Sequence, residues 1–396
     1  MAISAKIRTA MEAGSWIRQM FELGIELKKR YGDDQVFDLS LGNPVLDPPI
    51  AFTQELKRLV QESTTGMHRY MPNAGYPHTR AAIAEYLSAQ TGLPFEGTHV
   101  VMTCGAGGAL NVALKALLDP GDEVIIFTPY FPEYPAYIDN HMGIPIITST
   151  DQTFQPDLES LHANITGRTK GILVNSPNNP SGAVYGQELM EGVGRILRDK
   201  EREFGSCIYL ISDEPYARLT YDSIVNPSIF QFHEASIVAT SFSKDLSLPG
   251  ERIGYLATNP NHSDSSEVVD AWTFCNRTLG YVNAPALMQR AVVAILNESV
   301  DIKWYQKRRD LVYKSLTSMG YSLIKPNGAF YAFPASPIED DVEFVKELLK
   351  WNVLVTPGTG FGRPGYFRVS YCVEESVLEG AMEGFSGAAK VYGLPG

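Results

Sequence analysis

The sequence has little of what would take a chain into a membrane, onto a nucleic acid or around a metal. No apolar run approaches the ~18 residues that a bilayer span needs. Glu12, Glu22 and Glu26 stand among the basic residues of the first segment, which has no apolar signal core. Only four cysteines occur, and Cys104, Cys207, Cys275 and Cys372 lie too far apart for a metal knuckle or a redox pair. They read as free thiols in a reducing compartment, so no metal, no membrane and a cytoplasmic location are expected. Positive charge is short as well: 33 Lys and Arg against 45 Asp and Glu leave a net −12. Such a surface would repel a phosphate backbone, so nucleic acid is not an expected partner. An anionic ligand would need local arginines to overcome the field. Internal repeats and low-complexity segments are missing too.

What remains is the composition of a globular protein with large cores. With 396 residues, the chain is too long for one ordinary domain. Residues 4–31 carry Ile7, Met11, Ile17, Met20, Phe21 and Ile25 at roughly helical spacing, which predicts an amphipathic helix stopped by Gly32. An extended, turn-rich stretch over 37–49 contains Leu41-Gly42-Asn43-Pro44, and 51–62 and 77–90 read as helices. From about residue 100, short β-branched runs at 100–103, 123–127, 145–148, 171–175, 207–212, 237–240 and 253–257 alternate with helical segments such as 108–118, 133–142 and 186–204. That alternation predicts an α/β fold with a mostly parallel sheet buried on both faces. Residues 241–252 are few for a right-handed crossover, so one of the last two strands is expected to run antiparallel. Beyond about 285 the texture is helical to 319. Short strands near 328–333, 353–355 and 366–371 follow, then a terminal helix from 374. This predicts a larger unit over 46–288 and a smaller α+β unit formed by 1–45 and 289–396.

In a parallel sheet, ligands bind beyond the carboxyl ends of the strands, so the residues following each run are the candidates. Cys104-Gly105-Ala106-Gly107-Gly108 opens a helix with small residues, as an anion cradle does, though tight packing explains it too. It fails as a dinucleotide fingerprint because Leu110 occupies the third glycine position. The run Tyr130-Phe131-Pro132-Glu133-Tyr134 offers a ring to stack on a planar ligand, or simply packs a loop. Ser176-Pro177-Asn178-Asn179-Pro180 is a fixed turn in which Asn179 brings a donor and an acceptor. Asp213, in Ser212-Asp213-Glu214-Pro215-Tyr216, is a carboxylate at a buried strand end; it wants a cation there, unless it caps a helix. Ser241, Ser243, Lys244 and Arg252 converge on the same edge, and a pocket-facing lysine is an amine nucleophile toward aldehydes. Arg368 sits in an alternating apolar strand, where it suits a bidentate carboxylate, a structural one or a ligand's.

Together these segments closely resemble the class I/II aminotransferases, the fold type I pyridoxal-phosphate enzymes, over about residues 36–385. The most specific are Asn178–Gly182, Ser212–Tyr216, Ser241–Lys244 with Leu248–Tyr255, and Phe367–Ser370. The resemblance implies a mostly parallel seven-stranded sheet in a large domain beside a smaller α+β domain. It implies pyridoxal 5'-phosphate held by Lys244, with Asp213 at the ring nitrogen and Tyr216 and Asn179 at the ring 3-oxygen. The backbone of Ala106 and Gly107, with Ser241, Ser243 and Arg252, would hold the phosphate, and Phe131 would stack on the ring. Arg368, Asn179 and the Gly42 backbone would hold the substrate α-carboxylate. Tyr70 matches a tyrosine that reaches the neighbouring subunit's phosphate, which implies a homodimer. The implied reaction is ping-pong transfer from an L-amino acid to a 2-oxo acid. Phe131, Asp245-Leu246-Ser247 and Glu251 depart from the family's commoner residues and leave the substrate open. Competing readings are a β-eliminating C–S lyase on the same site and a non-catalytic effector-binding module. Arg18, Arg277, Tyr281 and Phe330 are candidates for the substrate side chain.

Overall fold

Alternating apolar runs and amphipathic segments fold into layers around one large sheet. The computed structural model describes residues 2–13, 16–62 and 65–395. The seven strands lie side by side in the order Val100–Thr103, Gly254–Thr258, Ser236–Ser241, Tyr209–Asp213, Thr169–Asn175, Glu123–Phe127 and Ile144–Thr148. Five are mutually parallel from Ser236–Ser241 outward. Gly254–Thr258 runs against both of its neighbours, as the short connection before it required. The continuous apolar runs reflect burial on both faces. Val124 and Ile126 join Leu173, Ile211 and Ile237 in one core, while Ile125 and Phe127 join Ile172, Leu210 and Val238 in the other.

Local signals set the helix ends. Pro77 opens Pro77–Thr91 and Gly92, at φ 74°, closes it; Gly205, at φ 65°, ends Gln187–Phe204. A third core surrounds the smaller sheets. Phe37–Asp38 pairs in parallel with Val353–Leu354, and Phe367–Ser370 lies between Thr356–Pro357 and Tyr331–Ala332. Met20 and Leu39 belong to this core, so the first segment packs on the last one.

Within the segment expected to be one helix, Ala5–Ala13 and Trp16–Tyr31 are helical, and positions 14 and 15 lie outside the described residues. Much of its apolar stripe is uncovered in one chain: Ile7, Met11, Phe21 and Ile25 are exposed, whereas Met20 is buried. Helices Ser265–Thr278 and Asp341–Leu349 went unforeseen. No helix among the described residues is long and apolar enough to cross a membrane, and all four cysteines are free.

Candidate active site

The carboxyl ends of Thr169–Asn175, Tyr209–Asp213 and Ser236–Ser241 open on one cavity of about 280 Å³. Gly42, Ala106, Gly107, Phe131, Asn179 and Asp213 line it. So do Tyr216, Ser241, Ser243, Lys244, Arg252 and Arg368. Tyr70 does not; it is 90% exposed.

Lys244 sits in the turn between Ser236–Ser241 and the reversed strand. The turn is closed by Phe242 N–H donating to Ile253 O at 3.2 Å and Leu248 N–H donating to Phe242 O at 3.2 Å. The Lys244 Nζ donates to Gly42 O at 2.7 Å and lies 5.6 Å from the centre of the Phe330 ring. Burial outweighs the opposing pull of Cys372 and Asp213 and lowers the amine to about 8. A fraction of it is therefore neutral, and nucleophilic, near neutral pH.

Asp213 ends its strand with one oxygen satisfied and one open. Tyr134 Oη donates to Oδ2 at 2.6 Å, while Oδ1 is buried without a partner. Burial pushes the carboxyl up to about 7, against the Tyr134 bond and the Lys244 charge. Asn175 anchors the neighbouring turn: its Nδ2 donates to Asp213 O at 2.8 Å and its Oδ1 accepts from Asn179 N–H at 2.7 Å. The Tyr216 and Tyr331 hydroxyls are 2.9 Å apart. Tyr331 also explains Gly42, because a Cβ there would come within 1.8 Å of its hydroxyl oxygen.

At the opposite end of the cavity is an anion cradle. The helix Gly105–Leu117 starts without a side-chain cap, leaving its first N–H groups free. Gly105 adopts φ +73°, and a Cβ on it would lie 3.0 Å from Arg252 Nη2. At Gly107 a Cβ would come within 3.1 Å of Tyr137 Oη. Ser241 Oγ donates to Ser243 Oγ at 3.0 Å, so two hydroxyls and a guanidinium gather beside the helix start.

Arg368, on Phe367–Ser370, is only 2% exposed, yet its hydrogen bonds go to neutral groups. Nη1 donates to Asn179 Oδ1 at 2.9 Å, Nη2 donates to Ser40 O, and Nε has no partner. The Tyr331 and Phe361 rings lie 4.6 and 4.8 Å from it. A buried guanidinium in this state is suited to a ligand carboxylate.

Tyr134, Tyr137, Asn175 and Tyr331 also line the cavity and were not singled out. Tyr134 lay in the aromatic run after the second strand, but nothing in the sequence pointed its hydroxyl at Asp213. Phe330 lies beneath the Lys244 amine. Arg18 and Arg277 do not reach the cavity: Arg18 is exposed and pairs with Glu22 at 2.9 Å, and Arg277 is exposed over the Phe274 ring. Tyr281 packs beside Gly108.

Comparison with known proteins gives the family and the fold. The family described as aminotransferase class I and II matches residues 34–385. The aspartate/prephenate aminotransferase of Thermus thermophilus is 33% identical over 373 residues, covering 90% of this chain and 92% of the relative. The aspartate aminotransferase of Pyrococcus horikoshii is 33% identical over 386 residues, covering 93% of each. Among solved structures, an aminotransferase from Eubacterium rectale superposes with a TM-score of 0.95 at 36% identity over 99% of both chains. The Thermus thermophilus aspartate aminotransferase with maleate gives 0.86 at 29% identity over 98% of this chain and 100% of that one.

Proposed function

This chain belongs to the class I and II aminotransferases, pyridoxal-phosphate enzymes that move an amino group from an amino acid to a 2-oxo acid, and from that premise we propose which of its residues perform the transfer. Lys244 is the residue that carries the cofactor and then moves the substrate proton. Asp213 and Tyr216 tune the ring, and Arg368 holds the α-carboxylate. The observation that carries this reading is a half-buried amine, low enough to be partly neutral, sharing one cavity with an unpartnered oxygen of Asp213.

The residues present suit the group. The orphaned Asp213 Oδ1 suits a protonated ring nitrogen, and the uncapped helix start with Arg252, Ser241 and Ser243 suits a phosphate. When bound, pyridoxal phosphate supplies an aldehyde that captures the amino group and a ring that accepts electrons from the substrate Cα. Asp213 would keep a proton at the ring nitrogen. Tyr216 and the Asn179 amide would donate to the ring 3-oxygen, and Tyr331 holds the Tyr216 hydroxyl in place. Backbone N–H groups of Ala106 and Gly107 would complete the phosphate site, and Phe131 would cover one ring face. Arg368, steadied by Asn179 and joined by the Gly42 backbone, would orient the substrate so that its Cα proton faces the Lys244 amine, the base that would take it.

A homodimer, with Tyr70 entering the partner's cavity, fits the exposure of Tyr70 and of the Ile7 and Met11 stripe. The same reading keeps 46–288 as the cofactor unit, 1–45 with 289–396 as the smaller one, and the cytoplasm as the place of work. The test is a single turnover. Enzyme mixed with an amino donor and no acceptor should release one equivalent of 2-oxo acid per site, then stop until a second oxo acid is added. Continuous release without an acceptor would contradict the ping-pong cycle.

A further inference from the structure

Tyr137 lines the cavity but has no task in the reading above. It belongs to Tyr134–Asn140, the helix whose first residue reaches the acid: Tyr134 Oη donates to Asp213 Oδ2 at 2.6 Å. Helical residues three apart share a face at about 5–6 Å, so the face that meets Asp213 carries a second phenol. That phenol ends at the anion cradle. Gly107 lies in the first turn of Gly105–Leu117, and a Cβ on it would stand 3.1 Å from Tyr137 Oη. Glycine weakens a helix, and here it keeps the place of that hydroxyl clear.

The cradle has its other members close by. The helix starts without a side-chain cap, and a Cβ on Gly105, in the same turn, would lie 3.0 Å from Arg252 Nη2. Free N–H groups, a guanidinium and a phenol therefore meet around one turn of helix. Among the described residues, the Tyr137 hydroxyl has no hydrogen-bond partner, unlike those of Tyr134 and Tyr216. Burial, and after it the charges of Glu133 and Asp213, keep the phenol protonated, so it can only be completed as a donor by an acceptor from outside.

We propose that Tyr137 is a further ligand of the cofactor phosphate, its hydroxyl standing in for the side chain that Gly107 lacks. The inference rests on the cavity being the pyridoxal-phosphate site. In that cofactor the phosphate arm leaves the ring two atoms from the nitrogen, so one helix face serves both ends: Tyr134 through Asp213, and Tyr137 directly.

Pyridoxal, which carries a hydroxyl in place of the phosphate, isolates the contact. Cofactor-free enzyme is titrated with each compound, and the absorbance of the bound form gives the two Kd values. Tyr137→Phe keeps the ring and removes the donor. Its Kd for pyridoxal phosphate should rise roughly tenfold, the usual worth of a hydrogen bond to a charged group, while its Kd for pyridoxal should change less than about twofold. Inorganic phosphate should raise the melting temperature of the cofactor-free wild type more than that of the variant. Gly107→Ala crowds the same hydroxyl; it should weaken pyridoxal phosphate binding in the wild-type background and add little to Tyr137→Phe. An unchanged Kd for pyridoxal phosphate in Tyr137→Phe, or an equal rise for both compounds, would overturn the inference and leave the aminotransferase reading intact. So would a raised KM for amino donors with cofactor affinity unchanged, which would give the hydroxyl to the substrate. A wild-type protein that bound neither compound would instead strike the reading on which the inference stands.

Discussion

Arg309 and Arg368 are both buried, and their surroundings differ in kind. Arg309, in the core around the smaller sheets, has Asp222 Oδ2 at 3.0 Å from Nη2 and donates to Pro326 O at 2.8 Å; Asp310 Oδ1 stands 2.7 Å from Nε, although off the N–H line. Its charge is matched by acids of its own chain. Arg368, at the cavity, bonds only an amide oxygen and a carbonyl. One charge is completed by folding and the other is left open, as is the Asp213 Oδ1 across the cavity. The lesson is that an incomplete buried ion marks a ligand site more specifically than burial does.

The largest expected effect tests whether the open region is the working one at all. Lys244→Ala should lose the cofactor's near-visible absorbance and reduce turnover by about 10⁴-fold or more, since both the nucleophile and the proton carrier go. Near-normal turnover with a panel of amino donors would break the comparison. Next comes Arg368→Leu, expected to lower kcat/KM by roughly a hundredfold or more, because a buried charge pair with the substrate is worth about 2–5 kcal/mol. Its ligand-free stability should move by less than about 1 kcal/mol, since the uncompensated cation leaves as well. Arg309→Leu should do the reverse, costing about 2 kcal/mol in denaturant unfolding; Lys325, 3.0 Å from the same Asp222 oxygen, limits the loss. Equal stability losses in the two variants would erase the distinction.

The smallest effect concerns Asp213 in the cofactor-free protein. Its folded-state carboxyl is raised to about 7 by burial, so the native state binds more protons than the unfolded chain between pH ~4 and ~7. Its contribution to stability therefore falls as pH rises through that window and is flat above it. Asp213→Asn lacks this slope. It should match the cofactor-free wild type near pH 4 and exceed it by on the order of 1–2 kcal/mol above pH 7, while binding the cofactor more weakly. Melting curves at several pH values check the sign.

Much of this was legible in the sequence, for reasons that can be named. Strands buried on both faces announce themselves as β-branched runs, and the shortness of 241–252 foretold the reversed strand. Polar residues at the strand ends stood out because nothing about packing calls for them, and Asn179, Asp213, Tyr216, Ser241, Ser243, Lys244, Arg252 and Arg368 all line one cavity, whereas Tyr70, Arg18 and Arg277 do not. The residues that escaped are aromatic or dual-purpose. Tyr134 and Tyr331 look like core residues, and indeed are buried, so their hydroxyl partners Asp213 and Tyr216 appear only once distant segments meet. Tyr70 is different: its proposed role requires a second copy, which one chain does not contain.

The reversal of Gly254–Thr258 has a mechanical meaning. Arg252 stands two residues before that five-residue strand begins, and because the strand runs backward its start lies at the same edge as Lys244. A parallel strand would have put that start roughly 15–20 Å away, on the far rim of the sheet. Amine and guanidinium are instead the two jaws of a caliper cut from one stretch of chain, its gap set by local backbone and not by the register of the whole sheet. A slip elsewhere in the sheet would carry both jaws together, and a ligand gripped at its two ends would still be measured correctly.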